Sequence, residues 1–392
     1  MENEKDIQSN TVKKSNAKPN IKFILFLSVF VILLIANFIL LYFISKNEKA
    51  AQGADTVIKL SAQGGFDCDY AEAQKLYPFS DGVLKVTNDR VAFLTLSGNE
   101  VYSSSVNYQN PFCVVENGYA AVMDINGYSY SVYSDKGQIM KISTEDKVKS
   151  VAISDTGLSA VIVDKENAYG QILIYDASGK VLGQWISYSS GYPVSLKFSK
   201  NSQYLAVSVL NTSGAAVEST VKLIKLVQTD KKIEMIDYAV YSLDESKIVL
   251  SVLFADNENL YAFCADSYYV IDASGNIKTV AFDSGIINYS FAVNNNICII
   301  YSDGVDQINK LQIISSDDGK VIYDSVIGTD VFAFNVFEDR FVIGVDRRVF
   351  VFDSDGNIES DTEIDEDVIR LGIMGKKKII VISTTGVHTI NY

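Results

Sequence analysis

Histidine and tryptophan each occur once in the 392 residues, and cysteine and proline occur four times each. A Ser-His-Asp triad would have to use His388, because the chain has no other imidazole. We interpret this isolated histidine as a structural or surface residue. Zinc sites use several His or Cys ligands close together, so we predict no metal site. We also predict no cofactor and no catalytic residues, and therefore a protein that is not an enzyme.

The four cysteines are far apart and form no C-x-x-C pair; they are Cys68, Cys113, Cys264 and Cys298. The last three lie in apolar runs typical of strands, where cysteine packs as a small hydrophobic residue. Cys68 is flanked by two aspartates, and it is the only one that we expect to be exposed. We predict core filler, and neither a disulfide framework nor metal ligands.

Basic residues are outnumbered, with 34 Lys and Arg against 48 Asp and Glu and a net charge of −14. Residues 1–22 hold five lysines and three acids, so the rest of the chain carries −16. Nucleic acids and anionic lipid headgroups are bound by basic surfaces. We therefore exclude nucleic acid as a partner and attribute the acidity to the solubility of an exposed domain.

A long uncharged apolar run spans residues 23–44. At about 1.5 Å per residue its 22 residues make a helix of roughly 33 Å, which matches a hydrocarbon core of about 30 Å. We predict a transmembrane helix over 21–45 that contacts the lipid bilayer through residues 23–44. The run is too long for a signal peptide, whose apolar region has about 7 to 15 residues. Cleavage within 45–54, which contains three alanines, stays an alternative.

The lysines around this run predict its orientation. Five lysines precede the run and only three follow it before Gly65. The cytoplasmic flank of a transmembrane helix usually contains more Lys and Arg than the outer flank. We therefore predict a cytoplasmic N-terminus and a cell-membrane protein. Residues 1–20 contain almost no large apolar groups, so we expect a disordered tail. Residues 46–72 then form a linker and residues 73–392 an extracytoplasmic domain.

The outer domain repeats one unit of strands and turns. Short runs of β-branched and aromatic residues alternate with polar ones, without a helical stripe. A hairpin turn recurs with a glycine suited to positive φ; these glycines are Gly98, Gly137, Gly179, Gly275, Gly319 and Gly356. A degenerate copy at 228–232 fills the one double gap. A period of about 40 to 45 residues with four strands is typical of a β-propeller. We predict an all-β propeller with eight blades, and seven as the alternative.

The last predicted unit lacks its fourth strand. It comprises strands over 368–374, 377–384 and 386–392 and then the chain ends. An incomplete blade would leave an exposed sheet edge, which proteins usually pair or cover. The segment 55–60 has the length and alternation of a strand. We predict that it closes the ring as the missing outer strand.

Eight acids crowd into one region near the C-terminus; they are Asp353, Asp355, Glu359, Asp361, Glu363, Asp365, Glu366 and Asp367. Calcium needs several converging oxygen ligands, and Asp353 to Asn357 resembles part of a calcium loop. The full loop spacing is missing, however, and the hairpin turn itself requires Asp-Gly. We favour a solvated outer edge, with Asp361, Glu363 and Asp365 on one face, over an ion site.

Tyrosine is abundant, with 23 residues, and two groups stand out. Tyr119, Tyr128, Tyr130 and Tyr133 fall in blade two, while Tyr188 and Tyr192 flank Gly191. Aromatic side chains are common at recognition surfaces and are also ordinary strand formers. We favour the structural interpretation and keep the recognition surface as the alternative.

A run of small residues from Leu210 to Thr220 is predicted to be a long loop of blade four. Loops that are longer than their structural role requires often bind partner molecules. We predict that a partner contacts residues 211–219, against the alternative of a neutral insertion.

Three pieces of sequence carry a family resemblance: Asn110-Pro111, Ser190 to Pro193, and Phe198 to Ser208. In these three pieces the chain resembles an uncharacterised family of membrane-anchored β-propellers from Gram-positive bacteria. The resemblance implies the fold and the location, and it implies no activity. A more distant likeness to quinoprotein-like propellers is carried by Asp176 to Gly179 and Trp185, and the WD40 dipeptides are absent.

These observations favour a non-enzymatic binding or scaffolding module at the cell envelope, whose partner is an envelope protein or a wall polymer. One alternative is a transmembrane sensor, although a tail of about 20 residues leaves no room for a signalling domain. Another is an enzyme that acts on envelope glycans with paired carboxylates.

Overall fold

A computed structural model describes residues 57–229, 232–244, 247–282, 285–302 and 307–392. The predicted tail 1–20 and the predicted transmembrane helix 21–45 lie outside the described residues. Among the residues that are described, no helix is both long and apolar enough to cross a membrane.

The described residues form eight antiparallel sheets of four strands each. The prediction of eight blades is confirmed, and the alternative of seven is wrong. Strands are numbered along the chain, beginning with β1 (Gly64–Asp67). Each of the first seven blades consists of four consecutive strands.

The strands of blades one to four have the following bounds. Blade one contains β2 (Leu76–Phe79), β3 (Gly82–Val86), β4 (Arg90–Thr95) and β5 (Glu100–Ser105). Blade two contains β6 (Pro111–Glu116), β7 (Tyr119–Asp124), β8 (Ser129–Ser134) and β9 (Gly137–Ser143). Blade three contains β10 (Val148–Ile153), β11 (Ser159–Val163), β12 (Gly170–Tyr175) and β13 (Val181–Ser187). Blade four contains β14 (Tyr192–Phe198), β15 (Tyr204–Asn211), β16 (Glu218–Gln228) and β17 (Ile233–Ser242).

Blades five to eight continue the pattern. Blade five contains β18 (Ser251–Phe254), β19 (Leu260–Phe263), β20 (Ser267–Ile271) and β21 (Ile277–Ala281). Blade six contains β22 (Ile286–Val293), β23 (Asn296–Ser302), β24 (Asn309–Ser315) and β25 (Val321–Gly328). Blade seven contains β26 (Val331–Phe337), β27 (Arg340–Val345), β28 (Arg348–Asp353) and β29 (Ile358–Glu363). Blade eight contains β30 (Val368–Met374), β31 (Lys378–Ser383), β32 (Gly386–Asn391) and β1.

The first strand of each blade is the innermost, since β10 packs on β14, β14 on β18 and β26 on β30. The antiparallel order then gives the ring two different ends. The turns between second and third strands and the connections between blades share one end, which we name the connector end. The turns between first and second and between third and fourth strands share the other, which we name the hairpin end.

Five of the six predicted turn glycines lie between third and fourth strands, and Gly137 is the first residue of β9; all six have positive φ, from 69° at Gly319 to 132° at Gly137. An aspartate closes several of these turns. The Asp272 carboxylate accepts hydrogen bonds from the backbone amides of Ser274 and Asn276 at 2.9 Å. The Asn276 side chain also donates to it, and these bonds lower the pKa of Asp272. The recurring Asp-x-Ser-Gly phrase is therefore a turn motif.

The N-terminal part of the propeller completes blade eight through β1. Of the predicted closing segment 55–60, residues 55 and 56 lie outside the described residues, and residues 57–60 do not form the outer strand. β1 pairs with β32, Gly65 lying opposite His388. Earlier in the chain, Ile58 makes only a single parallel bridge, to Ile364. Leu60 begins a short 3₁₀ helix, Leu60–Ala62, and is fully buried in the core between blades seven and eight. Ile58 and Leu60 pack into that core, and strand pairing with β32 begins at Gly64.

The hydrophobic core consists of separate clusters between neighbouring blades. Cys113, Cys264 and Cys298 are buried in them, as predicted, and all four cysteines are free thiols. Cys68 is only half-buried; its burial and the nearby Glu72 carboxylate raise the pKa of the thiol to about 11.

Three of the four prolines lie in innermost strands; they are Pro78, Pro111 and Pro193. An innermost strand has a neighbour within its blade on one side only. Proline is tolerated on such an edge because the missing N–H removes no ladder hydrogen bond.

Candidate functional site

His388 is buried in the sheet of blade eight and is 2% exposed. Its Nε2 lies 3.2 Å from the Ser383 hydroxyl, which donates at 2.7 Å to Glu366 Oε2. The acid therefore binds the serine and does not orient the imidazole, as a triad would require. Ser383 is fully buried as well. We conclude that this polar group holds β31 and β32 together.

Three of the eight acids near the C-terminus pair with arginine. Arg340 Nε donates to Glu359 at 2.7 Å, Arg347 Nη2 lies 3.0 Å from Asp367, and Arg348 pairs with Asp361. The Asp353 carboxylate closes the turn before β29 by accepting the amides of residues 355 and 357. Within the described residues, no group of three or more His, Cys, Asp or Glu side chains is arranged to hold a metal ion.

The predicted solvated face is wrong for Asp361, whose side chain is only 13% exposed. Arg348 on the adjacent strand covers this carboxylate, and every residue from Ser360 to Glu363 is half-buried without alternation. Asp365 remains exposed and accepts the Leu60 amide at 2.9 Å.

The predicted long loop of blade four is much shorter than 210–220. Asn211 pairs with Glu218, so β15 and β16 extend into the run and leave only residues 212–217 between them. The Asn211 side chain accepts the Ser213 amide at 3.0 Å and closes the turn. These six residues are all exposed at the connector end.

The tyrosines divide into a structural and an exposed group. Tyr130 and Tyr133 are fully buried. Tyr130 hydrogen-bonds Ser159 of blade three at 2.9 Å, and Tyr133 hydrogen-bonds Ser104 of blade one at 2.7 Å. Burial raises the pKa of both phenols. The structural interpretation is therefore confirmed for these two, which join neighbouring blades.

Among the exposed tyrosines, Tyr128 of blade two is 53% exposed, and two others lie together at the connector end of blades three and four. Tyr188 is 69% exposed and Tyr192 is 47% exposed. The ring of Tyr169 packs edge-to-face on that of Tyr192, with centroids 5.0 Å apart. Val194, two residues further along β14, is also exposed. We name these four residues the tyrosine surface.

Glycine builds the turn that carries this surface. Gly191 has φ +109°, and a β-carbon on it would lie 2.4 Å from the Leu210 carbonyl oxygen. Gly170 has φ +155°, and its β-carbon would meet the Pro193 ring at 3.0 Å. The Ser187 hydroxyl closes the turn by donating to the Gly191 carbonyl at 2.6 Å. Tyr188 and Tyr192 are thus held on either side of a constrained turn.

A second group of charges lies at the inner rim of the hairpin end. Glu116, the last residue of β6, pairs with Lys197 on β14, which joins blade two to blade four. Asp155, in the turn of blade three between them, has its pKa raised by burial, while Lys200 lowers it. The inner-rim carboxylate of Glu116 is therefore engaged by a lysine.

The fold is that of an eight-bladed β-propeller, and solved propellers resemble it. The Saccharomyces cerevisiae protein Sqt1 is 11% identical with a TM-score of 0.58, over 86% of this chain and 100% of that one. BamB from Moraxella catarrhalis is 12% identical with a TM-score of 0.52, over 84% and 99% of the two chains. Apo AztD from Citrobacter koseri is 12% identical with a TM-score of 0.50, over 74% and 86%. At such identities the likeness shows the fold alone.

Sequence comparison assigns the family. Residues 57–391 match the model of the family of unknown function DUF5711, and the chain belongs to that family. No curated protein sequence matches the chain.

Proposed function

We propose that this protein is a membrane-anchored, extracytoplasmic binding module whose tyrosine surface contacts another protein of the cell envelope. The observation that carries the proposal is the exposure of Tyr188 and Tyr192, 69% and 47%, on a turn that Gly191 constrains. The anchor is the apolar run 23–44, and the lysines before it support a cytoplasmic N-terminus.

The chemistry of the tyrosine surface favours a protein partner. It combines the rings of Tyr169, Tyr188 and Tyr192 with the aliphatic Val194 and contains no charged side chain. Tyrosine is enriched at the centres of protein interfaces, where charged residues are depleted. Because the turn is already ordered, binding costs little conformational entropy.

A non-enzymatic role is supported by the way the carboxylates are used. A glycan hydrolase needs two acids flanking its substrate. Glu116 at the inner rim is engaged by Lys197, and Glu359 and Asp361 of β29 are engaged by arginines. No observation favours the enzyme or the sensor over the binding module.

The proposal is tested by crosslinking in intact cells followed by purification of the full-length chain. The double variant Tyr188→Ala/Tyr192→Ala should capture at least about tenfold less envelope protein than the unaltered chain. Its melting temperature should stay within about two degrees of that of the unaltered chain. Tyr70→Ala is the matched control, because Tyr70 is 55% exposed on the helix α1 (Tyr70–Ala73) between blades eight and one.

Equal capture by the double variant and by the control would contradict the proposal. Sedimentation of the purified protein with isolated cell wall, lost in the double variant, would identify a wall polymer as the partner in place of a protein.

A further inference from the structure

The tyrosine surface alone is too small to bind a protein partner. A protein interface of standard size uses about 20 to 30 residues on each side, and the tyrosine surface consists of four. Exposed residues next to it must therefore belong to the same interface. The turn 212–217 of blade four lies at the connector end as well, and all six of its residues are exposed.

The turn 212–217 adjoins the tyrosine surface through Gly191. A β-carbon on Gly191 would lie 2.4 Å from the Leu210 carbonyl oxygen and 2.8 Å from the Asn211 α-carbon. Tyr192, the next residue, pairs with Leu210 across the sheet. Asn211 closes the turn 212–217 through its side chain. Because the same stretch of backbone supports Tyr192 and the turn, the two features form one continuous surface.

The turn 212–217 consists of small side chains, namely Thr, Ser, Gly, Ala, Ala and Val. Val217 is 39% exposed and adds apolar area to that of the tyrosines. Gly214 and the alanines allow the backbone of a partner to approach closely, and serine and glycine adapt their hydrogen bonds to it. The turn therefore extends the interface without adding a charged group.

Two exposed glutamates border this continuous surface. Glu166 lies three residues before Tyr169, in the loop between β11 and β12, and Glu218 begins β16 directly after the turn. Neither carboxylate forms a hydrogen bond or an ion pair with a residue that the structure describes. Both carboxylates are therefore free to bind cations of a partner.

The lysines nearby do not neutralise these glutamates. The connector end of blade three, residues 145–149 and 164–166, contains three lysines and four acids. Two of the lysines are bound to aspartates, at 3.3 and 3.0 Å; these pairs are Lys165–Asp146 and Lys149–Asp164. Together with Glu218, the border of the surface is negative. Such a border attracts a cationic partner and repels an anionic wall polymer.

We propose that the tyrosine surface, the turn 212–217 and the two glutamates form one interface for a protein segment that presents lysine or arginine around an apolar centre. This inference rests on the function proposed above and names the chemistry of the partner. The apolar centre packs on the tyrosines and Val217, and the cations pair with Glu166 and Glu218. Aromatic anchors supply most of the affinity of such an interface, whereas charges at its rim accelerate association and select the partner.

Photo-crosslinking of the full-length chain in intact cells tests the inference. The photo-reactive amino acid is placed at position 188 in one chain and at position 215, in the middle of the turn, in another. We expect the same protein adduct from both positions. Peptide mapping of the adduct should place each crosslink in a segment of the partner that carries a net positive charge.

Charge variants provide the second measurement. Glu166→Gln/Glu218→Gln should reduce the yield of the adduct from position 188 at least about threefold, because the rim charges no longer attract the partner. Its melting temperature should equal that of the unaltered chain, since neither carboxylate bonds to a described residue. Glu338→Gln/Asp355→Asn is the matched control. It removes two exposed charges at the hairpin end of blade seven and should leave the yield unchanged.

The outcomes separate this inference from the proposed function. Equal adduct yields from the glutamate variant and the control would overturn the inference, and so would different adducts from positions 188 and 215 or a crosslink in an acidic segment of the partner. Each of these results still includes an adduct from position 188 and leaves the proposed function intact. Absence of any adduct from position 188 would contradict the proposed function, and the inference with it.

Discussion

Gly65 lies so close to Val387 that a β-carbon built on it would stand 1.7 Å from the Val387 carbonyl oxygen. Gly65 belongs to β1 and Val387 to β32, so this close contact lies where the first and last strands of the propeller pair. Gly65 also has φ +149°, a conformation that side chains rarely adopt. Ring closure therefore depends on the absence of a side chain at this position.

Gly65→Ala is expected to destabilise the whole propeller, because β1 would have to move away from β32. Strained backbone and displaced packing together cost about 3 kcal/mol. Gly64→Ala is the control, since its β-carbon would meet only Thr389 Oγ1 at 3.4 Å. Chemical denaturation should show the loss in the first variant and less than about 0.5 kcal/mol in the second. Equal midpoints for the two variants would mean that β1 does not close the ring.

The single tryptophan provides a second prediction. Trp185 Nε1 and Lys222 Nζ both donate to Asp237, each at 2.9 Å, and the ammonium lies 5.3 Å from the indole centroid. Lys222 is only 7% exposed. Asp237→Ala leaves this buried charge without its partner and should cost about 2 kcal/mol.

Denaturation and Trp185 fluorescence measure this effect, and the emission should change with the loss of the indole hydrogen bond. Asp318→Ala is the control, because its lysine partner is 80% exposed and exposed ion pairs contribute little to stability. If Asp237→Ala is as stable as the control, the contact between blades three and four is not stabilising.

The propeller could be predicted from sequence because its signals are local. Turn glycines and alternating strands recur within each blade, and the predicted strands Val331–Phe337 and Val368–Met374 have those bounds in the structure. The closing strand could not be predicted, because Gly64 and Gly65 are poor strand formers and segment 55–60 alternates better. Its pairing is decided by β32, more than 300 residues away.

The candidate site was predicted only in part for the same reason. Tyr188 and Tyr192 were recognisable beside Gly191, whereas Tyr169 joins them only through the packing of blade three on blade four. Tyr169 is followed by Gly170, just as Tyr192 is preceded by Gly191. This second pairing of tyrosine with glycine is the sequence signal that could have indicated Tyr169.

Alkaline pH should destabilise the fold. Burial raises the pKa of Tyr102 and of Tyr268 to about 12, and that of the Cys264 thiol to about 11, from ordinary values of 10.0 and 9.0. The folded state therefore retains protons that the unfolded state releases, so this stability is complete below about pH 9 and is lost as the pH rises towards 12.

Urea midpoints at pH 7, 9, 10 and 11 measure the decline. Tyr268→Phe should give a shallower decline, because it removes one of the titrating groups. A midpoint that is constant up to pH 11 would show that these groups are not protected by burial.

Membrane topology is predicted by the lysines around residues 23–44. A reporter that is active only in the cytoplasm should be silent when fused after Tyr392 and active when fused at Met1. Activity at Tyr392 and silence at Met1 would reverse the orientation, and with it the extracytoplasmic location of the binding module.

The central claim is that a partner protein contacts the connector end of blades three and four, and a photo-crosslinking amino acid tests it most directly. It is placed at position 188 in one full-length chain and at position 70 in another, two sites of similar exposure, 69% and 55%. Irradiation of intact cells should yield a discrete protein adduct from position 188 and none from position 70. An adduct from position 70 alone, or the same adduct from both positions, would contradict the claim.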